Sequence, residues 1–328
     1  MKKSHTKKGS ALIIVLLVVA ILTTVGVSSI DRLQADISRS TDFSLRLQSH
    51  WYALGLESRV SDFIRERQKI RNFSNLLIPD QDIPSILVTI EGGNLEGKLF
   101  DLQTCFNLNS VVRLDSQDRR VINQIGVDQY RGLLSELGLD EYSQDQIIYP
   151  LVDWLDSDDF VQDINGAEDD FYTRLKSPYR AANQLLYDIS ELKDIKNYSS
   201  ELVSWLSPYV CVIPAMSIAG ININAIQKDK PEILVMLMGG QISTRSASNI
   251  LNDRPVAGFR DLVEFLSHPE LLDLKIPQTI KDQILTESNY YVLKTKVLNY
   301  GYPLQVDSLI SVNEVGHVKV LKRQERVF

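Results

Sequence analysis

Between Asp153 and Tyr172 lie eight carboxylates, Asp153, Asp156, Asp158, Asp159, Asp163, Glu168, Asp169 and Asp170, with no Lys or Arg among them. Like charges at this density repel one another, so a folded loop that gathers several needs a counter-charge. A hard divalent cation supplies one. Ca²⁺ takes about six to eight oxygen ligands in irregular loops, whereas Mg²⁺ demands stricter geometry and keeps its waters. Soft metals do not fit a window without His or Cys. The spacing is not that of an EF-hand: Asp156 and Asp158 open like one, but Val161 stands where the loop glycine belongs and Ala167 where the closing Glu belongs. By charge alone the segment is equally a solvated acidic loop. Asp153, set beside Trp154 in the apolar run IIYPLVDWL, reads as a capping or bracing residue. Any ion here would be structural, because a catalytic metal needs an open position beside an acid–base group.

The other reactive side chains are sparse. Cys105 and Cys211 are the only thiols, each in an apolar context (DLQTCFNL and PYVCVIP). In an oxidising compartment a single pair most simply forms one disulfide; two buried free thiols are the other reading. The four histidines, His5, His50, His268 and His317, have no nucleophile beside them, and C-x-x-C, G-x-S-x-G, H-E-x-x-H and P-loop motifs are absent. No hydrolase machinery can therefore be assembled from motifs. A net charge of -7 over 328 residues argues against nucleic acid as a partner. Asn107-Leu108-Asn109 and Asn222-Ile223-Asn224 echo each other; the second resembles the entry to a helix-hairpin-helix but lacks the glycine hairpin, so both read as turn and cap asparagines.

These residues must be carried by elements, and the first is the most distinctive. From Gly9 to Ile30 no charged residue occurs, while Lys2, Lys3, Lys7 and Lys8 precede the run. As a helix these 22 residues cover about 33 Å, enough for a hydrocarbon core of about 30 Å, with the lysines holding the N-terminus in the cytoplasm. Leu33, Ile37, Leu47, Trp51 and Leu54 continue at helical spacing. The pattern predicts one helix from Ser10 to about Asn72, apolar all round first and amphipathic afterwards; a membrane anchor followed by a separate surface helix is the other reading. Residues 86–102 and 290–320 alternate as strands, and the chain between reads as helices, among them 129–137, 145–155, 232–238, 243–251, 259–266 and 280–286. A helical block that interrupts one sheet is an insertion in a small α+β module.

Lys7-Lys8-Gly9-Ser10 before the apolar run resembles a type IV prepilin leader. The segments WYALGLE (51–57), DWLD (153–156), GAEDD (166–170) with Tyr172, and SPYRAAN (177–183) resemble the general secretion pathway protein K family, the large minor pseudopilin of type II secretion. The resemblance implies peptidase cleavage between Gly9 and Ser10, with methylation of the new terminus. Loss of the four lysines then takes the charge of -7 to -11. Pilins carry Glu at the fifth mature position, here Ile14; a subunit without it needs no subunit ahead, as at a filament tip.

The same resemblance implies an α+β fold: a long N-terminal transmembrane and amphipathic helix packed on a small antiparallel pilin-like sheet, with a large mostly α-helical domain inserted in the sheet. Its parts are expected at 1–9 (leader), 10–30 (span), 31–75 (periplasmic helix), 76–103 with 289–328 (sheet) and 104–288 (insertion). It implies structural Ca²⁺ at Glu168, Asp169 and Asp170, with Asp156, Asp158 and Asn183 as further candidates. It implies a non-enzymatic protein of the inner membrane, single-pass and mostly periplasmic, at the pseudopilus tip. The partners expected are minor pseudopilins of the I and J types, met through the N-terminal helix and sheet, together with exported substrate and the outer-membrane secretin. A tip pilin of a type IV pilus and a membrane-anchored, calcium-dependent hydrolase are the alternatives.

Overall fold

The computed structural model describes residues 8–74, 85–214, 220–299, 302–313 and 316–327. Its first element is a single helix of 67 residues, α1 (Lys8–Ser74), about 100 Å long at 1.5 Å per residue. It contains no proline. The hydroxyls of Thr23, Thr24, Ser28 and Ser29 donate back to carbonyls three or four residues earlier, so the few polar groups of the apolar run are satisfied within the helix. Among the described residues α1 is the one helix long and apolar enough to cross a membrane.

Two strands follow, β1 (Ile86–Ile90) and β2 (Gly93–Asp101). The chain then leaves the sheet and builds a helical block. Its first half holds β3 (Phe106–Asn107), β4 (Val112–Leu114), β5 (Arg120–Ile122), α2 (Gln124–Glu136), α3 (Glu141–Leu155), α4 (Asp169–Tyr172), α5 (Ser200–Leu206) and β6 (Val210–Cys211). Its second half holds β7 (Ile221–Asn222), α6 (Pro231–Leu237), α7 (Thr244–Asp253), α8 (Leu262–Leu266), α9 (Gln278–Lys281) and β8 (Ile284–Leu285). The chain returns as β9 (Tyr290–Asn299), β10 (Leu304–Val312) and β11 (Val318–Val327), giving an antiparallel sheet of order β1-β2-β9-β10-β11. The helix expected over 280–286 is not formed as one. It divides into the end of α9 and strand β8, because the carbonyls of Gln283 and Leu285 accept the N–H groups of Ile221 and Ile223.

The sheet has one buried face, as alternation requires. Leu95 and Leu99 of β2, Leu293 and Val297 of β9, and Leu304, Val306 and Ile310 of β10 pack beneath Ala53, Leu56, Val60 and Ile64 of α1. A Cβ on Gly97 would lie 2.5 Å from Leu56, so glycine there sets how closely helix and sheet approach. The contact is locked by charge. Register opposes Ser308 to Arg323 under α1, and Glu57 receives Ser308 Oγ at 2.6 Å and a bidentate Arg323 at 2.8 Å. Burial alone would raise the Glu57 pKa, but the hydrogen bonds from Arg323 and Ser308 hold it below the usual range.

The inserted block has its own core, centred on Tyr130, Leu133 and Leu134 of α2, Ile148, Leu151 and Leu155 of α3, and Leu234 and Leu237 of α6. Two short crossings join it to the sheet. Gln103 donates to the Gly220 carbonyl and accepts from Asn289 N–H, while Ser288 donates to Asp101, so departing and returning strands are stitched side by side. Cys105 and Cys211 form a disulfide next to the parallel β3–β6 pair.

The two asparagine pairs are used in the same way. Asn107 and Asn222 accept the backbone N–H of Asn109 and Asn224. The amides of Asn109 and Asn224 then clasp both backbone groups of Leu186 and of Phe259, and each donates to one further carbonyl, of Ile213 and Thr286. A buried amide that meets a remote peptide in this manner fixes loop placement as a ladder would.

Candidate functional site

The acidic segment leaves the end of α3 and returns through α4. Asp153 and Asp156, three apart, lie on one side of the last helical turn and are fully buried. Asp153 braces the loop: it accepts the N–H of Gln162 at 3.0 Å and of Ala167 at 2.7 Å. A Cβ on Gly166 would sit 2.0 Å from its Oδ2, so the loop closes on this carboxylate only with glycine there. Asp156 accepts the side-chain amide of Gln162 through Oδ2, while its Oδ1 is buried without a partner. Glu168, at the N-cap of α4, is buried with both oxygens unpartnered.

Half-buried and exposed neighbours complete the cluster. Asn183, in the left-handed region at φ 44°, donates to the Asp158 carbonyl and to Asp159 Oδ1, and its own Oδ1 is buried and unpartnered. Asp158 accepts the Phe160 N–H. Two cations of the chain bond this region's backbone. The Arg120 guanidinium donates to the Leu155 and Asn183 carbonyls. Lys196 reaches the Asn165 and Gly166 carbonyls at 3.0 and 3.1 Å.

The electrostatic consequence is large. Burial, with Asp158 adding repulsion, pushes Asp153 up to about 6. Burial and the charges of Asp158 and Asp153 push Asp156 up to about 7. Burial and the charges of Asp153, Asp156, Asp159 and Asp158 push Glu168 up to about 8. Burial first, and mutual repulsion second, hold these three carboxylates well above their ordinary range.

Of the six candidate ligands, the structure brings Glu168, Asp156, Asp158 and Asn183 into this neighbourhood. Asp169 and Asp170 face away: Asp169 accepts the Ala181 N–H and pairs with Arg180 at 3.6 Å, and exposed Asp170 pairs with Arg174 at 3.4 Å. Asp159 joins through Asn183, a partnership between a loop and a positive-φ residue that spacing does not announce. Among the described residues no three His, Cys, Asp or Glu side chains already stand at metal-binding separation. The donors nonetheless fit a hard cation: carboxylate and amide oxygens, four of them buried and unpartnered.

The second candidate surface is on α1. The side that meets the sheet carries Ser49, Ala53, Leu56, Val60 and Ile64. Leu33, Ile37, Phe43, Leu47 and Trp51 lie about half a turn away and are exposed. The stripe read from the sequence is thus a second apolar face, not the one that packs on the sheet. Gly9 and Ser10 lie in the first turn of α1; residues 1–7 of the expected leader lie outside the described residues.

Two family models, each described as type II secretion system protein K, match residues 104–215 and 221–287, the two halves of the inserted block. A type II secretion system protein K from Pectobacterium carotovorum subsp. carotovorum is 31% identical over 97% of this chain and 96% of its own length. One from Aeromonas hydrophila is 31% identical over 80% of each. Among solved structures, the GspK-GspI-GspJ complex of the enterotoxigenic Escherichia coli type 2 secretion system contains a chain that aligns with a TM-score of 0.73 at 27% identity. The alignment covers 88% of this chain and 99% of that one. Helix, sheet, inserted block and near-full-length similarity agree: the chain belongs to the type II secretion system protein K family.

Proposed function

We propose that this chain is a non-enzymatic minor pseudopilin that caps the tip of a periplasmic pseudopilus and assembles there with subunits of the I and J types. The observation that carries the reading is the apolar face of α1 opposite the sheet, continuous with the membrane-length run and bare from Leu33 to Trp51. A helix face of this kind is buried by neighbouring helices or left as a liability. The family's solved relative was crystallised with I and J proteins, which suggests the partners. The bulk of the inserted block suits an end position, since it would obstruct stacking if every shaft subunit carried one. Residues 1–9 act as the leader, cut between Gly9 and Ser10, and 10–30 as the inner-membrane span. The domain limits at 75/76, 103/104 and 288/289 belong to the same proposal.

The acidic loop takes structural Ca²⁺ in this reading. Glu168, Asp156 and Asn183 offer buried, unpartnered oxygens, and Asp158 and Asp159 stand at the rim. The ion would add positive charge beside the buried carboxylates and allow them to stay ionised. Asp153 keeps its bonds to Gln162 and Ala167 and orients the loop.

The test is co-purification of the full chain in detergent with I- and J-type subunits. A stable complex is expected, and its absence under conditions where both partners are folded would refute the tip assignment. Intact mass after expression with prepilin peptidase should begin at N-methylated Ser10; a mature terminus beyond Ile30 would remove the leader reading.

A further inference from the structure

We propose that the cleft between the outer face of the sheet and the inserted block is a docking site for an acidic polypeptide segment of another protein. The inference does not depend on the pseudopilus reading. The cavity is about 910 Å³ and is lined by seven Lys or Arg against three Asp and no Glu. This reverses the sign of a chain whose net charge is -7.

Lys98 of β2 and Lys294 of β9 stand directly opposite in the sheet register, a like-charge pairing that weakens a sheet and that Asp307 of β10, opposite Lys294 on its other side, offsets only in part. Both ammonium groups sit over the ring of Phe100, at 5.0 and 5.2 Å, which offsets part of the repulsion and holds the two charges at the mouth. Exposed Lys228 lines the same cleft from the block. The floor beneath is apolar, with Phe100, Val292 and Leu309 from the sheet and Ile226 from the block.

The chemistry of these groups selects the occupant. Phosphate recognition favours a bidentate guanidinium or converging backbone N–H groups. The arginine inside the cleft, Arg254, is buried and donates to the Ile223 and Ile226 carbonyls. Arg326, at the rim, stands 3.8 Å from Asp188. Lysines spaced along an apolar floor instead match carboxylates spaced along a chain that also carries apolar side chains.

The probe is a fluorescent peptide of about a dozen residues in which Asp and Glu alternate with Phe and Leu. It is titrated by anisotropy against the full chain in detergent micelles. Saturable micromolar binding is expected, weakening about ten-fold between about 50 and 300 mM salt. The exposed double variant Lys98→Glu/Lys294→Glu should bind at least about ten-fold more weakly, and Lys228→Glu, on the block side of the cleft, should weaken binding in the same direction. Lys275→Glu, exposed and outside the cleft, should bind as the parent does. Retained affinity in both cleft variants overturns the proposal. So does full displacement by millimolar inorganic phosphate, which would make this a small-anion site. Self-association abolished by the double variant would assign the cleft to a second copy of this chain, whose own acidic loop exposes Phe160 and Ile164, and would overturn it equally.

Discussion

Both oxygens of Glu168 are buried and unpartnered, so this residue separates a bound ion from a merely acidic loop. Saturating Ca²⁺ should raise the melting temperature of the full chain by roughly 3–8 °C over chelator. Glu168→Gln should abolish the rise, and exposed, Arg174-paired Asp170→Asn should leave it intact. An equal response in both variants would refute the ligand assignment. The chelated protein should also show a characteristic pH dependence. Asp153, Asp156 and Glu168 are raised to about 6, 7 and 8, above the value of about 4 in an unfolded chain. The native state therefore binds more protons than the unfolded state between about pH 4 and 8, and stability should fall as pH rises through that window. Glu57 and Asp188, held low, act in the opposite sense, as pH falls below about 4.5. Added Ca²⁺ should cancel or reverse the loss toward pH 8, read as the urea midpoint at pH 5 and pH 8. The acid window was legible as charge. Which carboxylates share a neighbourhood was not, because the backbone bonds of Asp153 and the close approach at Gly166 turn Glu168 inward while Asp169 and Asp170 look out.

The asparagine echo becomes physical at the scale of elements. Each half of the inserted block opens with a short strand in a parallel pair, β3 with β6 and β7 with β8. Each then uses its second asparagine to clasp a distant backbone. Asn109→Ala and Asn224→Ala should each destabilise the chain by about 2–3 kcal/mol, since each strands buried backbone groups. Unfolding in denaturant measures this; a loss in one and not the other would break the equivalence. Reduction of Cys105–Cys211, which spans 106 residues, should cost up to about 4–5 kcal/mol, read as the denaturant midpoint with and without reductant. The repeat could be seen in Asn107-Leu108-Asn109 and Asn222-Ile223-Asn224. Its purpose could not, because Leu186 and Phe259 lie far along the chain. Tertiary pairing likewise overrode the helical pattern at 280–286. Alternation did identify the strands of the sheet, since their one buried face writes a period of two.

Over the whole molecule, α1 has two apolar sides with different obligations. The side toward the sheet is fixed by Ala53, Leu56, Val60, Ile64 and the Glu57–Arg323 clamp. Phe43 and Trp51 on the other are exposed. Phe43→Ser/Trp51→Ser should therefore leave the melting temperature of the isolated chain within about 1 °C while reducing recovery of partner subunits in co-purification. A large fall in melting temperature would show that the face is already packed. The helix and its polarity change were readable from residues 9–54, but the side that meets the sheet was not, because Ser49, Ala53 and Glu57 do not look like a core until β9, β10 and β11 lie beneath them. The interruption of the sheet also sets an order of events in time. Strand β2 pairs on one side with β1, two residues away, and on the other with β9, which is made only after the whole inserted block. The block holds its own core and can close early, whereas the β2 edge and the underside of α1 wait for the last strands. Sheet completion is then the slow, non-local step, and until it occurs β2 offers an open edge to any other extended chain nearby.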